Sequence, residues 1–369
     1  MEIEQLAPNK HEDWDKFCLQ NDDAWFWHTT EWLYYTQNYR PDLKSKNLSF
    51  LLINNHKVIG ICPLFLETTK IGDEETKELS FGGSPTPMPA LENDLSESNR
   101  EKRYKLIFEN IDKLSQEYQA SRVTIRASPL SPSYIQSNYS QNNILMKYGY
   151  IPISLNTQII DLTKNQATLW ADIRHGHAYD INRGMKYIQA TAFDKNNLTK
   201  DVYTQYQQLH HKAAGRVTRP QITFDLMYSW ILQGYATLFA ATINKQYVGF
   251  SYVYTYKSAA YYGSACNDPD CSQEPIGHVL QWKTIQCLKD QGFKFYEIGW
   301  QNYASLPYCI TSQKEVAIST FKRGFGGFSV PQFIGEKYYN SQYYLKINTE
   351  RLKQYALTLQ NSTVQASNP

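Results

Sequence analysis

Leu238-Phe-Ala-Ala-Thr-Ile-Asn-Lys-Gln-Tyr-Val-Gly249 opens a run that continues through Tyr262-Gly-Ser-Ala-Cys-Asn-Asp-Pro269, Ile276–Gln291 and Lys294-Phe-Tyr-Glu-Ile-Gly299. The apolar alternation, the polar turn at Asn244-Lys245 and the helical spacing after Ile276 read as strand, turn, strand, glycine-bearing strand, loop, helix, strand. The first half repeats this plan. Ser49-Phe-Leu-Leu-Ile-Asn-Asn-His-Lys-Val-Ile-Gly60 is followed by Ser80-Phe-Gly-Gly-Ser-Pro-Thr-Pro87, a helical segment near Ile107–Tyr118, and Arg122-Val-Thr-Ile-Arg126. A unit this long, met twice, predicts an α/β chain of two similar domains facing each other across a cleft, and binding sites often lie between such domains.

Composition sets the outer limits. The chain has 369 residues, enough for two domains, and is 42% hydrophobic, enough for a core in each. A formal charge of +2 gives no general drive toward nucleic acid or an anionic membrane. The six cysteines lie apart without a Cys-x-x-Cys pair, which fits reduced thiols in a cytoplasmic protein. No apolar run reaches the length of a membrane span, and Met1-Glu-Ile-Glu does not begin a signal peptide. No metal constellation, Walker loop, dinucleotide fingerprint or Gly-x-Ser-x-Gly elbow is present.

Finer reading places one helix over Asn165–Ile188, weakened by Gly176 and Gly184. Further helices are expected over Lys102–Tyr118, Lys200–Ala214 and Phe224–Gly234. A tyrosine-rich strand is expected near Tyr338–Leu345 and a helix over Thr349–Leu359. Ser84-Pro-Thr-Pro-Met-Pro-Ala reads as a rigid ordered loop.

A family resemblance rests on six stretches. They are Leu169-Trp-Ala-Asp-Ile-Arg-His-Gly-His-Ala-Tyr-Asp-Ile-Asn-Arg-Gly-Met-Lys186, His210-His-Lys-Ala-Ala-Gly-Arg-Val-Thr-Arg219, Ala260-Tyr-Tyr-Gly-Ser-Ala-Cys-Asn-Asp268, Gly277-His-Val-Leu-Gln-Trp282, Phe295-Tyr-Glu-Ile-Gly299 and Phe321-Lys-Arg-Gly-Phe-Gly326. In this order they resemble the FemABX-type aminoacyltransferases within the wider GNAT-like acyltransferase superfamily. The resemblance implies two tandem GNAT-like domains, each a mixed, mostly antiparallel sheet flanked by helices. The expected bounds are 1–155, completed by 330–360, and 156–329 with the active site; a disordered tail is expected over 361–369. The implied activity is transfer of an acyl or aminoacyl group from an activated carrier to an amino group. The acceptor would be a small-molecule or lipid-linked amino-sugar or peptide precursor of the cell envelope.

Such chemistry needs a donor for the developing oxyanion and a base, or a substrate group, for the released proton. Lys322 matches the lysine of the family's Phe-Lys-x-x-Phe-Gly motif and is the expected donor. Asp268, at the end of a predicted strand, reads either as a base or as a loop cap. Arg216 and Arg219 flank a turn after a helix, where guanidinium forks suit phosphate or carboxylate; helix-end cations explain them as well. Arg183 and Lys186 match the family's basic helix, or a solvated face. Glu297 is a carboxylate inside an apolar strand and demands a partner. His278, in the first turn of a helix, reads as an anion contact or a core histidine.

Two departures leave the carrier open. GNAT enzymes that use coenzyme A carry a glycine-rich pyrophosphate loop, but here the stretch is Gln273-Glu-Pro-Ile-Gly-His278, with one glycine and a proline. FemABX-type enzymes take aminoacyl-tRNA, and many carry a coiled-coil arm that this chain lacks. Aminoacyl-tRNA, acyl-coenzyme A and acyl carrier protein all stand as co-substrates, with no tightly bound cofactor expected. A non-catalytic module that binds glycans or sugar nucleotides on a degenerate GNAT-like fold is the alternative.

Overall fold

A computed structural model describes residues 1–71, 74–137 and 142–366. The chain divides into two units. The first comprises Met1–Asn156, Trp300–Thr320 and Pro331–Pro369; the second comprises Thr157–Gly299 and Phe321–Val330. The second unit is therefore narrower than 156–329, because Trp300–Thr320 belongs with the first. Of the stretch expected as a tail, the final helix Ser341–Ala366 takes in residues 361–366, and 367–369 lie outside the described residues.

Among the described residues the first unit holds two sheets. One orders Glu2–Gln5, Phe50–Asn54, Lys57–Cys62 and Ala90–Leu91; the other orders Ile151–Pro152, Ile334–Tyr338, Arg122–Arg126, Glu74–Ser80, Phe65–Ile71 and Lys46–Asn47. Helix Glu97–Glu117 buries Tyr104, Ile107, Phe108 and Ile111. It starts earlier than Lys102 because the Ser96 hydroxyl caps it, accepting the Asn99 N–H. The expected strand over Tyr338–Leu345 is corrected. The strand ends at Tyr338, and the Asn340 side chain accepts the Tyr343 N–H and starts a helix.

Ser80–Pro87 is not a continuous strand. Glu74–Ser80 runs parallel to Arg122–Arg126 for two pairs, Glu78↔Arg122 and Leu79↔Val123. The chain then turns at Gly82-Gly83, with φ of +65° and +76° that favour glycine. Thr86–Pro87 returns to pair in parallel with Ile125–Arg126. The turn is held by Glu67, whose 0%-exposed carboxylate accepts the Gly82 N–H at 2.7 Å and the Gly83 N–H at 2.8 Å. The Ser45 and Ser80 hydroxyls donate to the same carboxylate. Four donors satisfy a charge that would otherwise be prohibitively costly to bury.

The second unit has one seven-stranded sheet. Its strands are β1 (Leu155–Asp161), β2 (Gln189–Phe193), β3 (Ala236–Ile243), β4 (Gln246–Tyr256), β5 (Ala259–Asn267), β6 (Phe295–Gln301) and β7 (Phe328–Gln332), in the order β2-β3-β4-β5-β6-β1-β7. Its helices are α1 (Gln166–Ala171), α2 (His175–Gly184), α3 (Lys200–Ala214), α4 (Gln221–Gln233), α5 (Ile276–Asp290) and α6 (Gln313–Arg323), the last entering from the first unit. The β3–β4 turn puts Asn244 and Lys245 at positive φ, the two-residue geometry that matches strand twist. The single helix expected over Asn165–Ile188 is corrected to α1 and α2. The break exposes the Arg174 N–H, which donates to Gly324 O at 2.9 Å.

Candidate active site

β5 and β6 are parallel and pair only at Ala259↔Phe295, Ala260↔Tyr296 and Tyr261↔Glu297. Both strands continue beyond these pairs, β5 to Asn267 and β6 to Gln301. The cause lies on the other edge of β5. Register with β4 shifts between Tyr252↔Ser264 and Val253↔Tyr262, leaving Gly263 as a bulge residue. A bulge bends its strand and increases local twist. A Cβ at Gly263 would lie 2.2 Å from the Tyr254 ring, so the bend requires glycine. The result is a splay, with β5 and β6 paired to each other only near their starts.

Lys322 reaches this splay from the last turn of α6, an end of a helix that favours a cation. Residues 297 and 299 share one face of β6, because strand side chains alternate. Glu297 is 2% exposed and accepts the Thr157 hydroxyl at 2.6 Å. Gly299 has φ +94°, and a Cβ built there would lie 2.9 Å from Lys322 Nζ. The ammonium also lies 6.0 Å from the Tyr262 ring centroid. Tyr262 is held in turn by hydrogen bonds to Gln281 and Ser251. Burial lowers the Lys322 pKa, and the Glu297 charge opposes that shift without cancelling it.

His278 stands beside the same turn. Its ring lies 4.5 Å from His177 and 5.0 Å from Phe321, both edge-on. Burial and the neighbouring His177 lower its pKa to about 4, while Asp180, 3.8 Å away, opposes the shift. Burial also lowers His177. In α3, burial with Arg219 lowers His210 to about 4. These folded values lie below the usual 6.5, so the unfolded chain binds more protons. The histidines' contribution is complete above about pH 6.5 and is lost as pH falls toward about 4. Thermal unfolding should therefore show a falling melting temperature between about pH 6.5 and 5, above the range where most carboxylates titrate. His278→Gln should flatten that limb; an unchanged slope would refute the assignment.

The remaining candidates take other places. Asp268 accepts the Asp270 N–H as a cap and lies 2.7 Å from Lys212 Nζ, which lowers its pKa. A carboxylate held this way is a weak base. Arg219 lies 5.2 Å from the Phe224 ring centroid and directs Nη1 toward the Met227 sulfur. Arg216 is exposed in the turn after α3. Arg183 donates to Asp180 at 3.1 Å and so adjoins His278, while Lys186 is exposed. The structure thus gathers Lys322 and Glu297 at the splay, with His278 packed beside Phe321. Among the described residues no group of three His, Cys, Asp or Glu is placed to hold a metal ion, and no helix is long and apolar enough to cross a membrane.

Sequence reasoning passed over Gly299, Tyr262, Thr157 and His177 as site residues. Gly299 carried a usable signal, since its period-two spacing from Glu297 puts both on one face. His177 carried none, because its role depends on a carbonyl 144 residues away.

A family model described as an acetyltransferase (GNAT) domain matches residues 181–308. No curated protein matches by sequence. Among solved structures, FemX superposes with a TM-score of 0.62 at 12% identity over 94% of this chain and 100% of its own. L-PGS from Bacillus licheniformis superposes with a TM-score of 0.56 at 11% identity, covering 95% of this chain and 98% of its own. At such identities the likeness shows the fold alone, and the matched domain supplies the activity. Residues 181–308 thus form a GNAT-type acyltransferase domain, in a chain that shares the fold of FemX along its length.

Proposed function

We propose that this acyltransferase moves an acyl or aminoacyl group to an amino group of a cell-envelope glycan or peptidoglycan-type precursor. The observation that carries the reading is Lys322, half-buried at the splay, with Gly299 leaving its ammonium room. Lys322 Nζ would donate to the carbonyl oxygen of the acyl donor as negative charge develops there. The acceptor amine forms the new C–N bond, the bond to the carrier breaks, and the leaving oxygen or sulfur takes the proton. No protein base is needed for that balance, which suits an Asp268 occupied by Lys212. Arg216 and Arg219 are the proposed contacts for an acceptor phosphate, and the envelope acceptor rests on the FemABX resemblance.

The loop before α5 argues about the carrier. Glu274 accepts the Tyr187 hydroxyl, Pro275 has no N–H, and Ile276 is buried against Gly249. A negative side chain and a closed first turn suit a diphosphate poorly. An aminoacyl-tRNA or acyl carrier protein is accordingly favoured over acyl-coenzyme A. Millimolar coenzyme A should leave the melting temperature unchanged; a clear rise would reverse this choice. The reading as a whole is tested by a mass-spectrometric screen of aminoacyl-tRNAs, acyl carrier proteins and acyl-coenzyme A against amino-sugar nucleotides. Binding of the nucleotides without transfer from any carrier would leave only a glycan-binding module.

A further inference from the structure

α2 is strapped to the end of α6 by a chain of bonds with a fixed direction. The Arg174 Nη2 lies 3.0 Å from His177 Nδ1, and His177 Nε2 lies 2.8 Å from Phe321 O. A guanidinium only donates, and a carbonyl only accepts. His177 Nδ1 is therefore the bare nitrogen, and Nε2–H donates to Phe321. The imidazole is 4% exposed and is pressed on by the His278 and Phe325 rings at 4.5 and 4.8 Å. Gly324 leaves the space: a Cβ there would lie 2.2 Å from His177 Nε2.

The carbonyl that His177 grips belongs to the residue before Lys322. The end of α6 is otherwise closed by short turns, Gly324 N–H to Phe321 O at 3.0 Å and Phe325 N–H to Lys322 O at 3.2 Å. Such terminal turns fray readily, because few bonds hold them. We infer that His177 is a positioning residue for Lys322: its Nε2–H fixes the last turn of α6, and thereby the line along which the ammonium reaches Gly299. The inference rests on the proposed role of Lys322, but its test does not require activity.

The titration of Lys322 is read directly by pulse-labelling the intact protein with an amine reagent across pH and quantifying the Lys322 peptide by mass spectrometry. In the wild type the midpoint should lie below that of exposed lysines. His177→Phe keeps the ring volume and removes the donor; the midpoint should move up toward the exposed lysines. His177→Gln, whose amide nitrogen can reach the same carbonyl, should restore the wild-type midpoint. Arg174→Met keeps an exposed position folded and frees the tautomer, so it should shift the midpoint part of the way. In a transfer assay His177→Phe should lower kcat by about ten- to a hundredfold with KM little changed. An unmoved midpoint in both His177→Phe and Arg174→Met overturns the inference, and Arg174→Met alone decides if His177→Phe does not fold. Shifted midpoints in a protein that transfers nothing would uphold the strap and remove the transferase reading of Lys322.

Discussion

Lys322→Ala should lower kcat for acyl transfer by about 10²- to 10³-fold, the usual loss when one preorganised oxyanion donor is removed. KM should change little, since the ammonium acts on charge that appears only in the transition state. Stability should not fall. The wild-type ammonium is held where burial lowers its pKa, so its removal relieves desolvation, and Glu297 keeps the Thr157 hydroxyl. Lys322→Arg should rescue poorly, because a planar fork does not fit where Gly299 leaves room for one nitrogen. The protonated form is the donor and its pKa is lowered from 10.5, so kcat should decline on the alkaline side at a pH below 10.5. Activity within threefold of wild type in Lys322→Ala would remove Lys322 from the chemistry.

Gly299→Ala should harm both fold and rate. At φ +94° an L-residue is strained, at a cost of about 1–3 kcal/mol. The new methyl would also sit 2.9 Å from Lys322 Nζ and push the ammonium away. A displacement near 1 Å at such a group costs roughly 10²-fold in rate. The double variant separates the two effects. Gly299→Ala added to Lys322→Ala should lower stability below that of Lys322→Ala alone but leave the residual rate unchanged, because both act on the rate through one ammonium. Independent, multiplying losses in rate would show that Gly299 serves something other than Lys322.

How much of this was legible depended on the range of the interaction. The β3–β4 hairpin was plain from Asn244-Lys245, and α5 from its apolar spacing, since both are decided locally. Lys322 and Glu297 could be singled out by motif and by the oddity of an acid in an apolar strand. The break between α1 and α2 could not, because what occupies it is the Gly324 carbonyl, 150 residues on. Asp268 stayed open between two readings for the opposite reason: a strand-end carboxylate looks alike whether it faces a substrate or Lys212. The Tyr338–Leu345 stretch misled by composition, where Asn340 as a helix cap outweighed the strand preference of tyrosine.

Thr86–Pro87 gives the tandem architecture an unexpected asymmetry. In the second unit two parallel strands part beyond Tyr261↔Glu297. In the first, the corresponding gap beside Ile125–Arg126 is filled by the chain's own backbone, clamped in place through Glu67. The first unit is in effect already complexed: a tethered segment acts as a resident peptide ligand, as in strand addition between separate proteins. On the proposed reading that leaves the splay of the second unit for the carrier, and one carrier bound per chain is the expected stoichiometry.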